Sequence, residues 1–154
     1  MYHVLLTSHS IFRWLVLISL LISIVLGIRG WVTKKKFDTV DNRFRHWTIT
    51  LTHIQFLIGI ILYPISPIIR YFFENFGDAV KISDIRFFGM EHPIMMILAV
   101  GLITFGSSSA KRNTDDLAKF KTMTIWFSIG LIIILVNIPW EFSSYVSRPH
   151  FRFF

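Results

Sequence analysis

No cysteine occurs anywhere in the 154 residues, which excludes disulfide bonds, iron–sulfur clusters and the thioether attachment of a c-type haem. Any metal or cofactor has to be held by other side chains. Acidic residues are scarce as well, 9 against 16 Lys plus Arg, and the formal net charge is +7 with histidine neutral. Charged residues of both signs make up only 16% of the chain, against roughly 25% in an ordinary soluble domain. There is no internal repeat and no low-complexity tract. The residues before His9 contain no Lys or Arg, and nothing like a small-residue cleavage site precedes the Lys34–Lys36 run, so no cleaved signal peptide is expected.

What the chain has instead is long apolar runs, with 53% of its residues hydrophobic. Four stretches, roughly Leu5–Ile28, Trp47–Ile65, Met90–Ser107 and Thr122–Trp140, reach the length of about 17–25 mostly apolar residues that a helical membrane span needs. In lipid every backbone amide must be satisfied within its own segment, so these spans should be helices, and short connections make successive helices antiparallel neighbours. The expected fold is all-α: an integral membrane antiparallel four-helix bundle, one domain over residues 1–154, with no soluble catalytic module. The middle connection, Ser66 to Phe88, is too long for a turn. Its Ile68, Ile69, Tyr71, Phe72, Phe73 and Phe76 against Arg70, Glu74, Asn75 and Asp78 predict an interfacial amphipathic helix, opening at Ser66-Pro67 and ending at Phe76-Gly77-Asp78. Gly27, Gly59, Gly101 and Gly106 are expected where helices approach closely. Trp14, Trp31, Trp47, Tyr63, Trp126 and Trp140 fall mostly near span ends, as interfacial anchors do.

The basic residues gather in loops, which reads as topology and not as a nucleic-acid surface. Arg29, Lys34, Lys35, Lys36, Arg43 and Arg45 lie between the first two spans, and Lys111, Arg112, Lys119 and Lys121 between the last two. The positive-inside rule puts these loops in the cytoplasm, and both termini and the middle connection on the periplasmic side of a bacterial inner membrane. The partner this implies is the lipid bilayer. The tail, Arg148 to Phe154, is basic and aromatic and is expected to rest on headgroups.

Three histidines, His9, His53 and His92, sit within or at the edge of these spans, where an ionisable residue is by default a site. Imidazole nitrogens there need a metal, a polar neighbour or trapped water. At about 1.5 Å per residue, His9 and His92 fall near the outer boundary and His53 deeper. Arg13, Glu91, Asn137 and Glu141 lie at the outer level too. His9 and Arg13 are four apart and share a helix face. Arg13 keeps its charge and needs an anion: either an ion pair with Glu91 or Glu141, or a carboxylate ligand such as a haem propionate. His53 shares a face with His46 and Thr50, but a spacing of seven residues is roughly 10 Å, too long for one metal; His46 reads as interfacial.

Two imidazoles on facing helices are the usual axial ligands of an electron-carrying haem. His9 and His92 are the preferred pair, with His53 in reserve and Arg13 as anion partner. Met95, Met96, Phe56 and Ala99 are ordinary core residues or the lining of a macrocycle. Two other readings stay open. One is a metal or quinone site made from His9, Glu91, His92 and Glu141. The other is a subunit or assembly factor of a larger membrane complex, in which the His/Arg/Glu cluster is a structural polar network. No nucleophile with a positioned base is visible.

Taken together, His9-Ser10-x-x-Arg13-Trp14, His53-x-Gln55-x-x-x-Gly59-x-x-x-Tyr63, Glu91-His92-Pro93-x-Met95-Met96 and Ile138-Pro139-Trp140 resemble a small four-helix membrane family of Bacteroidetes whose members are often labelled cytochrome b. The layout is similar to four-helix b-type cytochromes. The resemblance implies an inner-membrane electron-transfer protein with haem b, with quinone and other membrane subunits as partners. Unlike the two-haem members, the chain has no two matched histidine pairs and no histidine in its fourth span. One haem at most is the expectation.

Overall fold

From Tyr2 to Thr33 the chain has no proline, and this run is a single helix, α1, closed by Lys34 in the left-handed conformation at φ 50. The computed structural model describes residues 1–140 and 146. Helix α2, Thr39–Ile65, starts at a reciprocal cap: Asp38 accepts from the amides of Val40 and Asp41, while the Asp41 carboxylate accepts from the Asp38 amide. Lys35 Nζ closes the corner, 2.7 Å from Asp41 Oδ2 and 3.1 Å from Asp38 Oδ2. The hydrogen bond to Asp41 raises the Lys35 pKa, and the Asp41 amide lowers that of Asp38.

Three short helices follow, α3 Pro67–Glu74, α4 Phe76–Ala79 and α5 Ser83–Arg86, and then a π-helical turn over Phe87–Glu91. Helices α6, His92–Arg112, and α7, Asp116–Val136, complete the described residues, among which there is no strand. Four helical runs are long and apolar enough to cross a membrane: α1, α2, the continuous stretch Ser83–Arg112, and α7. That is the make-up of a multi-pass membrane protein.

The boundaries differ from the sequence expectation in instructive places. Pro67 does take the first helical position, but the Ser66 side chain caps nothing, and α3 stops at Glu74. The stop falls at Asn75, whose side-chain amide bonds back to the Tyr71 carbonyl at 3.3 Å, the local competition that disfavours Asn inside helices. The fourth helix ends at Val136, short of Trp140. Pro139 disfavours helical geometry at Ile138, and Asn137 closes the helix by donating its side-chain amide to the Ile133 carbonyl at 2.9 Å. The predicted spans began too late because polar first turns, such as Thr39–Arg45, are helical without being apolar.

Helix α1 packs on α2 and α7, and α6 packs on α7 and α2. The shared core of α1, α6 and α7 is apolar, with Leu20, Ile103, Phe120, Met123 and Phe127 fully buried. Helix α2 adds Ile49 and Leu51 to this core and makes polar contacts as well. Ser23 donates to Thr48 Oγ1 at 2.8 Å and Thr48 donates to the Ser19 carbonyl at 3.0 Å, joining α1 to α2. Arg45 Nη1 donates to Ser107 Oγ at 2.6 Å, joining α2 to α6. Within a membrane, where burying apolar surface adds little between helices, such hydrogen bonds contribute to association.

Candidate functional site

The start of α6 is shaped by one proline. Pro93 has no amide proton, and its ring crowds the carbonyl four residues back, that of Gly89. The backbone widens into the π turn there, with the His92 amide reaching the Phe87 carbonyl. The released Gly89 carbonyl accepts from the Tyr63 hydroxyl of α2 at 2.6 Å. A Cβ on Gly89 would overlap the Phe72 ring, so the glycine also seats α3 on this turn. Turns of this kind recur at functional sites, and this one presents His92.

Because Tyr63 replaces a helical partner, the change Tyr63→Phe leaves the Gly89 carbonyl unsatisfied. The expected loss is about 1–3 kcal/mol in reversible unfolding in detergent. No loss would show that the carbonyl finds another donor.

His92 faces His9. Their ring centres are 6.5 Å apart at an interplanar angle of 75°, so α1 and α6 are brought together at the ends where both begin. His92 Nδ1 lies 3.0 Å from the backbone carbonyl of Asn137. A carbonyl only accepts, so this nitrogen carries the proton and the lone pair is on Nε2. On the other side, His9 Nδ1 is buried and has no hydrogen-bond partner. Gly59 of α2 makes room for that ring: a Cβ there would lie 3.3 Å from His9 Cε1. Gln55, one turn before Gly59, donates to the His9 carbonyl at 2.9 Å, and its own Oε1 is buried without a partner.

The other expected site residues fall out differently. Glu91 accepts from Arg86 Nε at 2.7 Å, and Arg86 also donates to the Val80 carbonyl at 3.0 Å, so Glu91 is tied to the middle connection and not only to the site cluster expected of it. Arg13 lies beside Trp14, 5.6 Å from its ring centre, and Trp14 meets Trp140 edge to face at 6.3 Å. Glu141 and the tail from Arg148 lie outside the described residues. His53 has a polar partner: its Nε2 is 3.0 Å from Thr104 Oγ1. His53 is exposed, six residues along α2 from Gly59, a rise of about 9 Å, and so stands apart from the His9–His92 pair. His46 is exposed beside Trp47. Ala99 and Met96 belong to the hydrophobic core.

Among the described residues no three of His, Cys, Asp or Glu converge as a metal site. Two imidazoles do. If a metal were held here, His9 and His92, whose ring centres stand 6.5 Å apart, would be its donors. The proton of His92 is already held by a carbonyl, as in ligating histidines, and the buried His9 Nδ1 awaits a partner. This donor set fits a metal held between two neutral imidazoles.

Of these features, the freed Gly89 carbonyl was announced by Pro93 four residues later. The Asn137 carbonyl had no signal, because any residue carries one. The chain matches no protein-family model, no curated protein and no solved structure among those compared.

Proposed function

We propose that the chain is a b-type cytochrome-like electron-transfer protein of a bacterial inner membrane, holding one haem b between His9 and His92. The observation that carries this reading is the His9–His92 pair, with the His92 proton anchored on the Asn137 carbonyl. The resemblance to the small Bacteroidetes family labelled cytochrome b supports it. Haem held by two imidazoles supplies one-electron chemistry with no open site for oxygen. The protein's own residues bind and orient. His9 and His92 would hold the haem, Gly59 keeps the His9 ring clear, and Arg13 would be the cation partner of a propionate. The four long helices form an antiparallel bundle with both termini periplasmic, the middle connection rests on the membrane surface, and quinone is the lipid-soluble exchange partner in keeping with that location.

The test is a reduced-minus-oxidised spectrum of the full chain purified in a haem-retaining mild detergent. The expected result is a Soret band that shifts on reduction together with a sharp α band. A colourless protein with no haem by extraction would overturn the reading.

A second reading rests on α2, whose Arg45, Thr48, His53, Gln55 and Tyr63 each hydrogen-bond to another element. That ladder suits a scaffold subunit or assembly factor of a membrane complex, which would be the colourless outcome of the same measurement.

A further inference from the structure

The two facing imidazoles are not supported alike. The Nδ1–H of His92 ends on the Asn137 carbonyl at 3.0 Å, whereas His9 Nδ1 is buried with no partner. The helix that meets His9 nevertheless carries a polar group beside it. A Cβ on Gly59 would lie 3.3 Å from His9 Cε1 and 3.8 Å from His9 Nδ1, so that edge of the ring faces α2. One turn earlier on α2, Gln55 Nε2 donates to the His9 backbone carbonyl at 2.9 Å.

That bond fixes how the Gln55 carboxamide is turned. A carbonyl only accepts, so the amide nitrogen is the end that faces it and Oε1 is the other end. Oε1 is itself buried without a partner, which costs free energy until a donor meets it. The other buried oxygens without a partner among the described residues belong to Asp41 and Thr124. They lie beside Lys35 and Gly27, at the opposite end of α1 from His9.

A histidine that binds a metal through Nε2 carries its proton on Nδ1, and that N–H needs an acceptor. We propose that Gln55 is the positioning residue of His9: its Oε1 accepts from His9 Nδ1–H once His9 Nε2 is engaged, while its amide stays on the His9 carbonyl. One carboxamide then brackets one histidine by its ring and its backbone. Hydrogen bonds of this kind are often long in an unloaded site and tighten on loading. The inference rests on the haem reading above, and it joins an unmet donor to an unmet acceptor on adjoining helices. Gln55 gives His9 the support that Asn137 gives His92.

The test compares the full chain with Gln55→Met, which keeps the side-chain length but has only a weak acceptor, and Gln55→Glu, which keeps an oxygen. Titrating haem into haem-depleted protein in mild detergent is expected to show binding weaker by about 10–100-fold for Gln55→Met and close to the parent's for Gln55→Glu. The reduction potential is the second readout. A stronger acceptor on Nδ1–H makes the imidazole more basic and so favours the oxidised metal. The potential is therefore expected to fall for Gln55→Glu and to rise for Gln55→Met, whereas a mere loosening of α1 against α2 would move both the same way. Parent-like binding and potential in Gln55→Met overturn the proposal, and so does an equal loss of binding in the two variants. Should Gln55→Met fail to fold by circular dichroism, Gln55→Glu decides alone, and an unchanged potential overturns the proposal. A colourless parent overturns the haem reading and this inference with it, while a coloured parent with unaffected variants overturns this inference alone.

Discussion

Replacing His92 with alanine is expected to abolish the Soret band of the purified protein, the largest spectroscopic effect any single substitution should have. The change would remove one of the two proposed haem donors and leave the Asn137 carbonyl without its imidazole N–H. Loss of a partner by one buried carbonyl costs about 1–3 kcal/mol, less than an ordinary membrane protein needs to unfold. The variant should therefore remain helical while losing colour. His9→Ala should behave in the same way, and added imidazole should restore part of the band in either variant, which a merely structural lesion would not allow. His53→Ala should keep the full band, since His53 stands about two turns away along α2 and is bonded to Thr104. A colourless His53→Ala beside a coloured His92→Ala would reverse the ligand assignment.

Phe120→Ala is expected to cost the most stability, about 3–5 kcal/mol, without changing the spectrum. Phe120 is fully buried near the start of α7. A Cβ on Gly30 of α1 would overlap its ring, Phe37 of the α1–α2 connection meets it at 5.0 Å, and Lys35 Nζ lies 5.6 Å from its centre. One ring therefore joins α1, α7 and a connection. Truncating it opens a cavity that Gly30, having no side chain, cannot fill. The measurement is reversible unfolding in detergent followed by circular dichroism. A loss below about 1 kcal/mol would mean that the connection collapses into the space. Because Phe120 sits at the end of α1 opposite His9, the Soret band of the folded variant should match the parent.

Much of the helical layout was legible because its signals are local. Asp38 and Asp41, three residues apart, announce a helix start whatever packs on it. Pro93 carries the signal for a released carbonyl at Gly89, and Pro139 the signal for a helix end that the expected span, running to Trp140, overshot. The ends themselves were less legible, since Thr39–Arg45 are helical by virtue of capping and charge placement, not apolarity. The middle connection broke into short helices because an Asn side chain at 75 competes for the backbone, a small local preference that hydrophobic periodicity does not register.

At the site, sequence spacing put His9 and His92 at a common level and His53 at another. It did not say that Glu91 is held by Arg86, that Tyr63 closes the π turn, or that His53 bonds to Thr104. Those pairings depend on how helices are rotated and offset against one another, and on backbone carbonyls, which every residue has and no sequence pattern distinguishes. The sequence by itself determined that the chain has four helices able to cross a membrane, because apolar length and helical rise are properties of each segment alone. Which polar groups meet, and hence which two imidazoles confront each other at 6.5 Å, was decided only by the tertiary structure, because contacts between segments are fixed by packing of the whole and not by any one stretch of it.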